Sequence, residues 1–447
     1  MKTIRTQLTL PGVPQAKQGR KVPPHLEWTA ASVWTERMLA TLEGGIKGGK
    51  WFSLIDKVWK LENLQSALKS VVRNKGAAGV DGETAEQYLR RCPHRLEQVQ
   101  VLLKTGQYTP RPVKRVWIPK LGSKDLRPLG VPAVEDRVVQ TAVRNVIEPI
   151  FEHIFAEHSY GFRPGRGAKD ALRRVDQLLV AGRVWVVDAD LKSYFDTIPQ
   201  EKMMALVAEQ IADRPLLDLI QEFLKQGVME SGKDWQPTET GTPQGAVISP
   251  LLANLYLNPL DHLMAQKGRE MVRYADDFVI LCGSEAEAKE VLAQLGEWVA
   301  GVGLTLHPTK TRIVNASKKG GFEFLGYHFE RGHRWPRQKS LDKFRETIRP
   351  KTGRLRPGSM ADIIGEVNRT LRGWFEYFKH SVKNVFERED QWVRGRLRAI
   401  QRKRHKGQGR ARGIDHQRWP NAYFAELGLF SLAIARAQAS QSRKRTH

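Results

Sequence analysis

The stretch that most constrains this chain is RYADDFVILC, residues 273–282, in which Phe278, Val279, Ile280 and Leu281 directly follow two adjacent carboxylates, Asp276 and Asp277. With Met271 and Val272 on the other side, it reads as two strands around a tight turn. A run apolar on both faces belongs inside a covered sheet, so the turn is held rigid and its acids are presented at one point. A second stretch repeats the arrangement: RVWVVDADLKSYFDTI, from Arg183 to Ile198, opens as a buried strand of β-branched and aromatic residues and runs into Asp188 and Asp190. An Asp-Asp pair alone is an ordinary solvated turn. Two buried strands that both end in carboxylates are a stronger signal.

Carboxylates at strand ends suit a hard cation. Mg²⁺ takes oxygen ligands and completes its octahedron with waters and substrate phosphates. Two such ions about 3.5–4 Å apart clamp the attacking and leaving oxygens of an in-line phosphoryl displacement. That chemistry needs carboxylates from more than one element, which Asp190 and the Asp276–Asp277 pair supply if their strands are neighbours.

The surroundings set the fold class. From Leu54 through Ile55, Val58, Leu61, Leu64 and Leu68 to Val71 the apolar residues recur at helical spacing, and a second helical stretch runs from Glu135 to Phe155. Between them KRVWIPK and LGSKDLRPLGVP alternate apolar and basic residues around a Gly-Ser turn, as a basic hairpin does. Helix and hairpin alternate, so the body is α/β or α+β. Past GGFEFLGYHFE the chain becomes helical, rich in Arg and set with aromatics, punctuated by Pro336, Pro350 and Pro357; the domain boundary is placed near 335. Residues 1–45 are polar and are expected to form a loose basic extension.

Lys and Arg total 73 against 48 Asp and Glu, a net charge of +25; residues from Arg331 onward hold 29 basic and 10 acidic side chains, which places +19 there and +6 in the first 330. Such a balance favours polyanions, chiefly at the C-terminal part. Cys92 and Cys282 are the only cysteines, too few and too far apart for a disulfide framework or a cysteine zinc site. No apolar run approaches the roughly 20 residues that cross a bilayer, and no signal-peptide core opens the chain. A cytoplasmic protein without a membrane partner is expected.

Several blocks now stand in order: IPKLGSKDLRPLGVPAVEDRVVQ, SYGFRPGRGAKDAL, VVDADLKSYFD, GTPQGAVISPLLANLYLNPLD, YADD and FLGYHF. In content and order they resemble the reverse-transcriptase blocks of bacterial group II intron-encoded proteins, across roughly residues 50–445. The resemblance implies an α+β right-hand polymerase, with fingers and a ferredoxin-like palm over 46–334. An α-helical thumb or maturase domain follows over 335–410, where GWFEYFKH matches a block shared with maturases, and a short basic DNA-binding-like tail over 411–447.

It also implies RNA-directed DNA polymerisation from dNTPs with two Mg²⁺ ions, for which Mn²⁺ can substitute. Structured intron RNA or another RNA template and a DNA primer or target are the implied partners, with splicing and mobility of the intron as the biological role. By motif, Asp190 bridges both ions, Asp276 binds beside it, Asp277 supports them and the Leu191 carbonyl is a further ligand; Asp188 is structural. Lys120 and Arg127 fold over the triphosphate, and Phe195 is the steric gate against a 2′-hydroxyl. Gln244 lies near the nascent base pair, Lys310 near the phosphates, and Leu325 with Gly326 in the primer grip. Arg394, Arg396, Arg398, Arg402, Lys403 and Arg404 face RNA or DNA, whereas Trp374, Phe375, Tyr377 and Phe378 are thumb core.

Many members of that group continue into a zinc-bound HNH endonuclease; the Cys and His clusters it uses are not in this sequence, so target-strand cleavage is not expected of it, and primers would come from elsewhere, such as replication forks. Three other readings stay open on sequence: a non-catalytic splicing cofactor, a host-adopted relative in phage defence or DNA repair, and an RNA-dependent RNA polymerase, against which Phe195 argues.

Overall fold

The computed structural model describes residues 22–445 apart from 47, 93, 120–125, 230–239 and 408–412. A four-stranded antiparallel sheet runs in the order Glu270–Tyr274, Asp277–Cys282, Trp185–Ala189, Arg312–Asn315. The two middle strands are the apolar runs singled out in the sequence, and each is hydrogen-bonded on both sides. Side chains alternate across a strand. Val187, Ala189, Phe278 and Ile280 therefore join one core with helices Gln200–Gln210, Ser249–Gln266 and Glu285–Gly301, while Val186, Val272, Val279 and Leu281 join a second core with helix Ala168–Val180 and the strands Phe322–Phe324 and Tyr327–Glu330.

The expected basic hairpin is present as Val113–Pro119 paired antiparallel with Leu126–Val131. The helical stretch expected from Leu54 to Val71 is instead two helices, Ile55–Val58 and Leu61–Arg73. The chain leaves the helix at Trp59 and Lys60, and buried Asn63 in the first turn of the second helix spans the break: its Nδ2 donates to the Lys57 carbonyl before it and to the Ala142 carbonyl of helix Val134–Ile154, both at 3.0 Å.

Two expectations about the ends are corrected. From residue 22 the N-terminal segment is no loose extension, because Leu26, Val33, Trp34, Leu39 and Leu42 are buried in the main core. Trp34 Nε1 donates to the Asn145 carbonyl at 3.0 Å, and Thr35 caps helix Glu36–Gly44 by accepting from Met38 N. Each large apolar group withdrawn from water is worth about 1.5–3 kcal/mol, enough to order a short segment. Residues 1–21 lie outside the described residues.

Nor is the described part of 411–447 a separate tail. Trp419, Phe424 and Leu432 share one core with Phe344, Ile363, Phe386 and Leu397 of the thumb helices Gln338–Lys351, Met360–Phe378 and Lys383–Arg404. Buried Asp390 accepts from Leu432 N (3.0 Å), Ala433 N (3.1 Å) and Ser431 Oγ (2.7 Å), fastening the start of helix Leu432–Arg445 to the thumb. Of the four aromatics expected as thumb core, Phe375 is buried there and half-buried Trp374 packs against that core, whereas Phe378 and half-buried Tyr377 pack on the second core under the sheet, Tyr377 Oη donating to the Leu325 carbonyl at 2.8 Å. Among the described residues no helix is long and apolar enough to cross a membrane.

Candidate active site

Strand register brings the acids together. Ala189 pairs with Phe278, so the next residues along, Asp190 and Asp277, emerge beside one another where the strands end. Residues opposite each other share a face, as do residues two apart. Asp188 (opposite Val279 and Arg312), Asp190 and Asp277 therefore project on one side, and Asp276 sits in the adjoining two-residue turn. All four line a cavity of about 430 Å³ with Lys310, Arg312, Glu323 and Arg337. The expected convergence of Asp190 on the turn is thus a consequence of neighbouring strands.

The turn is tightly held. Ala275 has φ of 59°, a left-handed conformation that an alanine does not favour. Gly161 lies against it: a Cβ there would overlap the Ala275 nitrogen and stand 2.8 Å from the Tyr274 carbonyl carbon. Below, the wholly buried Arg273 donates from Nη1 to the Ala275 carbonyl at 2.9 Å. Sequence reasoning assigned neither residue. Their signals were a cation inside an apolar strand and a glycine within the SYGFRPGRGAKDAL block.

Crowding shapes the electrostatics. Withdrawal from bulk water in the cleft, then repulsion by Asp276 and Asp188, pushes the Asp277 carboxyl up to about 7, against the pull of Arg337 and of the Leu325 amide that donates to it. Because Asp277 keeps an exposed edge, the repulsion is the sturdier cause. Asp276 is also raised, first by loss of hydration and then by Asp190, while Arg273 opposes the shift. Asp188 is raised by burial and held down by Arg312, whose Nε lies 3.3 Å from it. A divalent cation reverses this repulsion.

Lys310 Nζ stands 2.8 Å from Asp190 Oδ2. Among the described residues no three His, Cys, Asp or Glu side chains converge closely enough to hold a metal ion unaided. That fits Mg²⁺, which is bound through one or two carboxylates with waters and substrate phosphates rather than in an all-protein cage. Asp190, Asp276 and Asp277 supply oxygen donors of the required hardness. The Leu191 backbone bridges antiparallel to Leu306, yet the neighbouring bonds, His307 N to the Asp190 carbonyl and Lys192 N to the Thr305 carbonyl, leave the Leu191 carbonyl out of the ladder.

Around this centre, Ser193 at φ of 50° turns Tyr194 into the core and leaves Phe195 half-buried, edge-on to Tyr194 with ring centroids 5.5 Å apart. Thr242 N donates to the Phe195 carbonyl at 2.7 Å, and Gly241, at φ of 81°, leaves space where a Cβ would stand 2.6 Å from that same oxygen. Gln244 Nε2 donates to both Asp196 carboxylate oxygens at 3.1 Å, and its carbonyl accepts from Gly130 N at 2.6 Å. The Gly-rich loop is thereby clasped between the Phe195–Asp196 segment and the strand Leu126–Val131. Arg127 lies exposed on that strand, opposite Ile118; Lys120 lies outside the described residues. Leu325 (φ 46°) and Gly326 (φ 83°) form the turn beside Asp277, with the Gly326 carbonyl accepting from Arg337 N at 2.9 Å and Ser340 Oγ at 3.0 Å.

The basic residues expected to face nucleic acid divide. Arg398 is corrected: it is 3% exposed, donating to the Trp419 carbonyl (2.9 Å) and Asn421 Oδ1 (2.6 Å), so it ties the thumb together. Arg402 pairs with Asp415 at 2.7 Å, Arg396 donates to the Arg349 and Thr352 carbonyls at 3.0 Å, and Arg394 lies 3.9 Å from Asp390. Lys403 and Arg404 are exposed, although Arg404 Nη2 also reaches the Gly358 carbonyl at 2.6 Å.

Known proteins share this organisation. Residues 118–329 match the family model for reverse transcriptase (RNA-dependent DNA polymerase), and residues 341–419 match the group II intron maturase-specific domain. Protein YkfC of Escherichia coli is 34% identical over 337 residues, covering 66% of this chain and 87% of that protein. The group II intron-encoded protein LtrA of Lactococcus lactis is 39% identical over 204 residues, 45% of this chain and 33% of its own length. The putative COX1/OXI3 intron 1 protein of Saccharomyces cerevisiae is 26% identical over 406 residues, 76% of this chain and 48% of its own. The chain thus spans less than half the length of these two intron proteins. Among solved structures, telomerase from Candida albicans aligns at a TM-score of 0.40 and 14% identity, over 66% of this chain and 60% of that chain, too distant a likeness to bear on the site.

The fold, the acidic strand ends and these matches define a reverse transcriptase: an RNA-directed DNA polymerase, dependent on divalent metal and acting on RNA and DNA. The chain belongs to the family of group II intron reverse transcriptases and maturases.

Proposed function

We propose that this protein copies group II intron RNA, or another RNA template, into DNA by two-metal phosphoryl transfer, with Asp190 and Asp276 as ligands for Mg²⁺ or Mn²⁺ and Asp277 in support. Its maturase-specific region binds the structured intron RNA and assists splicing and mobility. The observation that carries this reading is the register of Asp190 beside Asp277 past the Ala189–Phe278 pair, with Asp276 in the turn.

When bound, the ions favour the primer 3′-hydroxyl as nucleophile and offset charge on the pyrophosphate that leaves. The chain's own residues do the rest. Lys310 exchanges its contact with Asp190 for the incoming triphosphate, as an ammonium suited to phosphate as a point charge. Arg127, with Lys120 assigned beside it by resemblance, covers the same phosphates from the fingers. Phe195, braced by Tyr194 and by the bond to its own carbonyl, fills the space that a 2′-hydroxyl needs and so selects dNTPs. Leu325 and Gly326 hold the primer end through backbone placed against Asp277.

The test is primer extension on an RNA template with dNTPs and Mg²⁺. Asp190→Ala and Asp276→Ala are each expected to lower incorporation at least about a hundredfold; extension at the wild-type rate in either would refute the ligand assignment. Splicing of the cognate intron RNA by Asp276→Ala at an undiminished rate, with polymerisation lost, separates the maturase role from the catalytic one.

A further inference from the structure

Beneath the catalytic turn lies a charged network that the chemistry described above leaves unused. Arg273 is 0% exposed, and its partners Asp261 and Asn254 are 7% and 1% exposed. Arg273 faces the helix Ser249–Gln266, since it stands opposite Phe278 on the side of the sheet away from the acids. Its Nε donates to Asp261 Oδ1 at 2.8 Å, its Nη2 pairs with Asp261 Oδ2, and its Nη1 donates to Asn254 Oδ1 at 2.9 Å and to the Ala275 carbonyl at 2.9 Å. Asn254 Nδ2 continues to the Gly161 carbonyl at 2.7 Å. Arg273 backbone, meanwhile, exchanges bonds with His158 and Tyr160: Arg273 N to the His158 carbonyl at 3.0 Å and Tyr160 N to the Arg273 carbonyl at 2.8 Å.

A buried ion pair is a poor device for stability, because well-packed apolar side chains of similar volume do as well or better. What the pair adds here is direction. The planar fork fixes one nitrogen on the carbonyl of Ala275, the residue that must stay left-handed for Asp276 to project toward Asp190. Gly161, held by Asn254, lies against the preceding peptide, between Tyr274 and Ala275. The turn is thus gripped at its carbonyl and at its nitrogen by groups that share one hydrogen-bond chain.

We propose that Arg273, with Asp261 and Asn254, is a positioning residue for catalysis: the buried bracket sets where the Asp276 carboxylate stands relative to Asp190, and thereby the metal-binding geometry of the polymerase. This rests on Asp190 and Asp276 being the metal ligands, and the experiment separates the two claims.

Mn²⁺ binding to the full-length apoprotein is measured by electron paramagnetic resonance, with kcat, dNTP KM and melting temperature measured in parallel. Three variants are compared. Arg273→Lys keeps the charge and loses the fork; the double variant Arg273→Met/Asp261→Leu removes the pair and leaves no buried charge unpaired; Asn254→Ala cuts the link to Gly161. In every variant that melts cooperatively, Mn²⁺ affinity is expected to weaken at least about fivefold and kcat to fall about tenfold or more, with dNTP KM within about twofold, since a misplaced ligand costs the transition state rather than substrate binding. A folded variant with a lowered melting temperature but wild-type Mn²⁺ affinity and kcat would overturn the proposal, because that is what a purely structural pair predicts. Unchanged Mn²⁺ binding in Asp276→Ala removes the ligand assignment instead, an outcome distinct from unchanged binding in Arg273→Lys.

Discussion

Lys310 Nζ stands 2.8 Å from the Asp190 carboxylate, on the strand end that also faces the catalytic turn. Both groups are partly exposed, so the pair contributes little to stability, about 0–1 kcal/mol. Its consequence is competition, since the ammonium occupies an oxygen that a metal ion needs. Lys310→Ala is expected to lower the Mg²⁺ concentration for half-maximal activity by roughly twofold to fivefold, while kcat falls about tenfold or more for want of a cation near the triphosphate. Mg²⁺ titrations at saturating dNTP check both; a raised Mg²⁺ requirement would contradict the competition.

Gly161 lies so close to the Ala275 peptide that any side chain displaces the turn. Gly161→Ala is expected to fold, since only a loop contact changes, and to lose about a hundredfold in kcat, the scale of an ångström-sized misplacement. Near-wild-type kcat in a folded Gly161→Ala would show that the turn tolerates displacement.

Phe195 is held from three sides, by Tyr194, by Thr242 N and by the close approach of Gly241. Phe195→Ala is expected to raise rNTP incorporation relative to dNTP by roughly tenfold to a hundredfold, the range that a steric hydrophobic pocket supplies. Competition between the two nucleotides in one extension reaction reads this directly, and an unchanged ratio removes Phe195 from the gate.

Asp136 is 1% exposed and bonded to Tyr108 Oη (2.6 Å), Arg111 N (3.2 Å) and Gln226 Nε2 (3.1 Å), where the fingers meet the helical core. Burial pushes its carboxyl up to about 6, with the Tyr108 and Arg111 bonds pulling the other way. The folded state therefore holds the proton more tightly than the unfolded chain does. Stability from this group is full below about pH 4, falls as pH rises through about 6 and then levels, a loss on the order of 3 kcal/mol. Denaturant unfolding of wild type and Asp136→Asn at pH 4 and pH 7.5 tests this: relative to the variant, wild type loses stability across the interval.

Arg398 and Lys403 predict opposite phenotypes from the same helix. Arg398→Ala leaves the Trp419 carbonyl and Asn421 without their donor and is expected to cost about 1–3 kcal/mol of stability, with the salt dependence of RNA binding unchanged. Lys403→Ala leaves the melting temperature unchanged. As a phosphate contact, Lys403 is expected on its removal to lower the slope of log affinity against log salt by about 0.7–0.9, and an unchanged slope in an RNA-binding titration would take it off the nucleic-acid face.

Much of the centre was legible in the primary structure because its signals are local. An unbroken apolar run must be an interior strand, the carboxylates at two such strand ends must project together if the strands adjoin, and ordered blocks around them specified a polymerase. The helix expected from Leu54 to Val71 is interrupted at Trp59 and Lys60, next to Asn63, whose side chain bonds a carbonyl 79 residues away that no local pattern announces. The apolar residues of the N-terminal segment were masked by the polar stretch before them, and the tail was masked by its charge.

By itself, the sequence determined the chemistry on offer: which side chains are acids, which segments are strands, and that the C-terminal part is strongly basic. Only the tertiary structure decided which charges serve water, substrate or the fold. Arg273 and Arg398 look like any other arginine until Asp261 and the Trp419 carbonyl come into reach, because a buried charge is tolerated only where partners from elsewhere in the chain complete its hydrogen bonds.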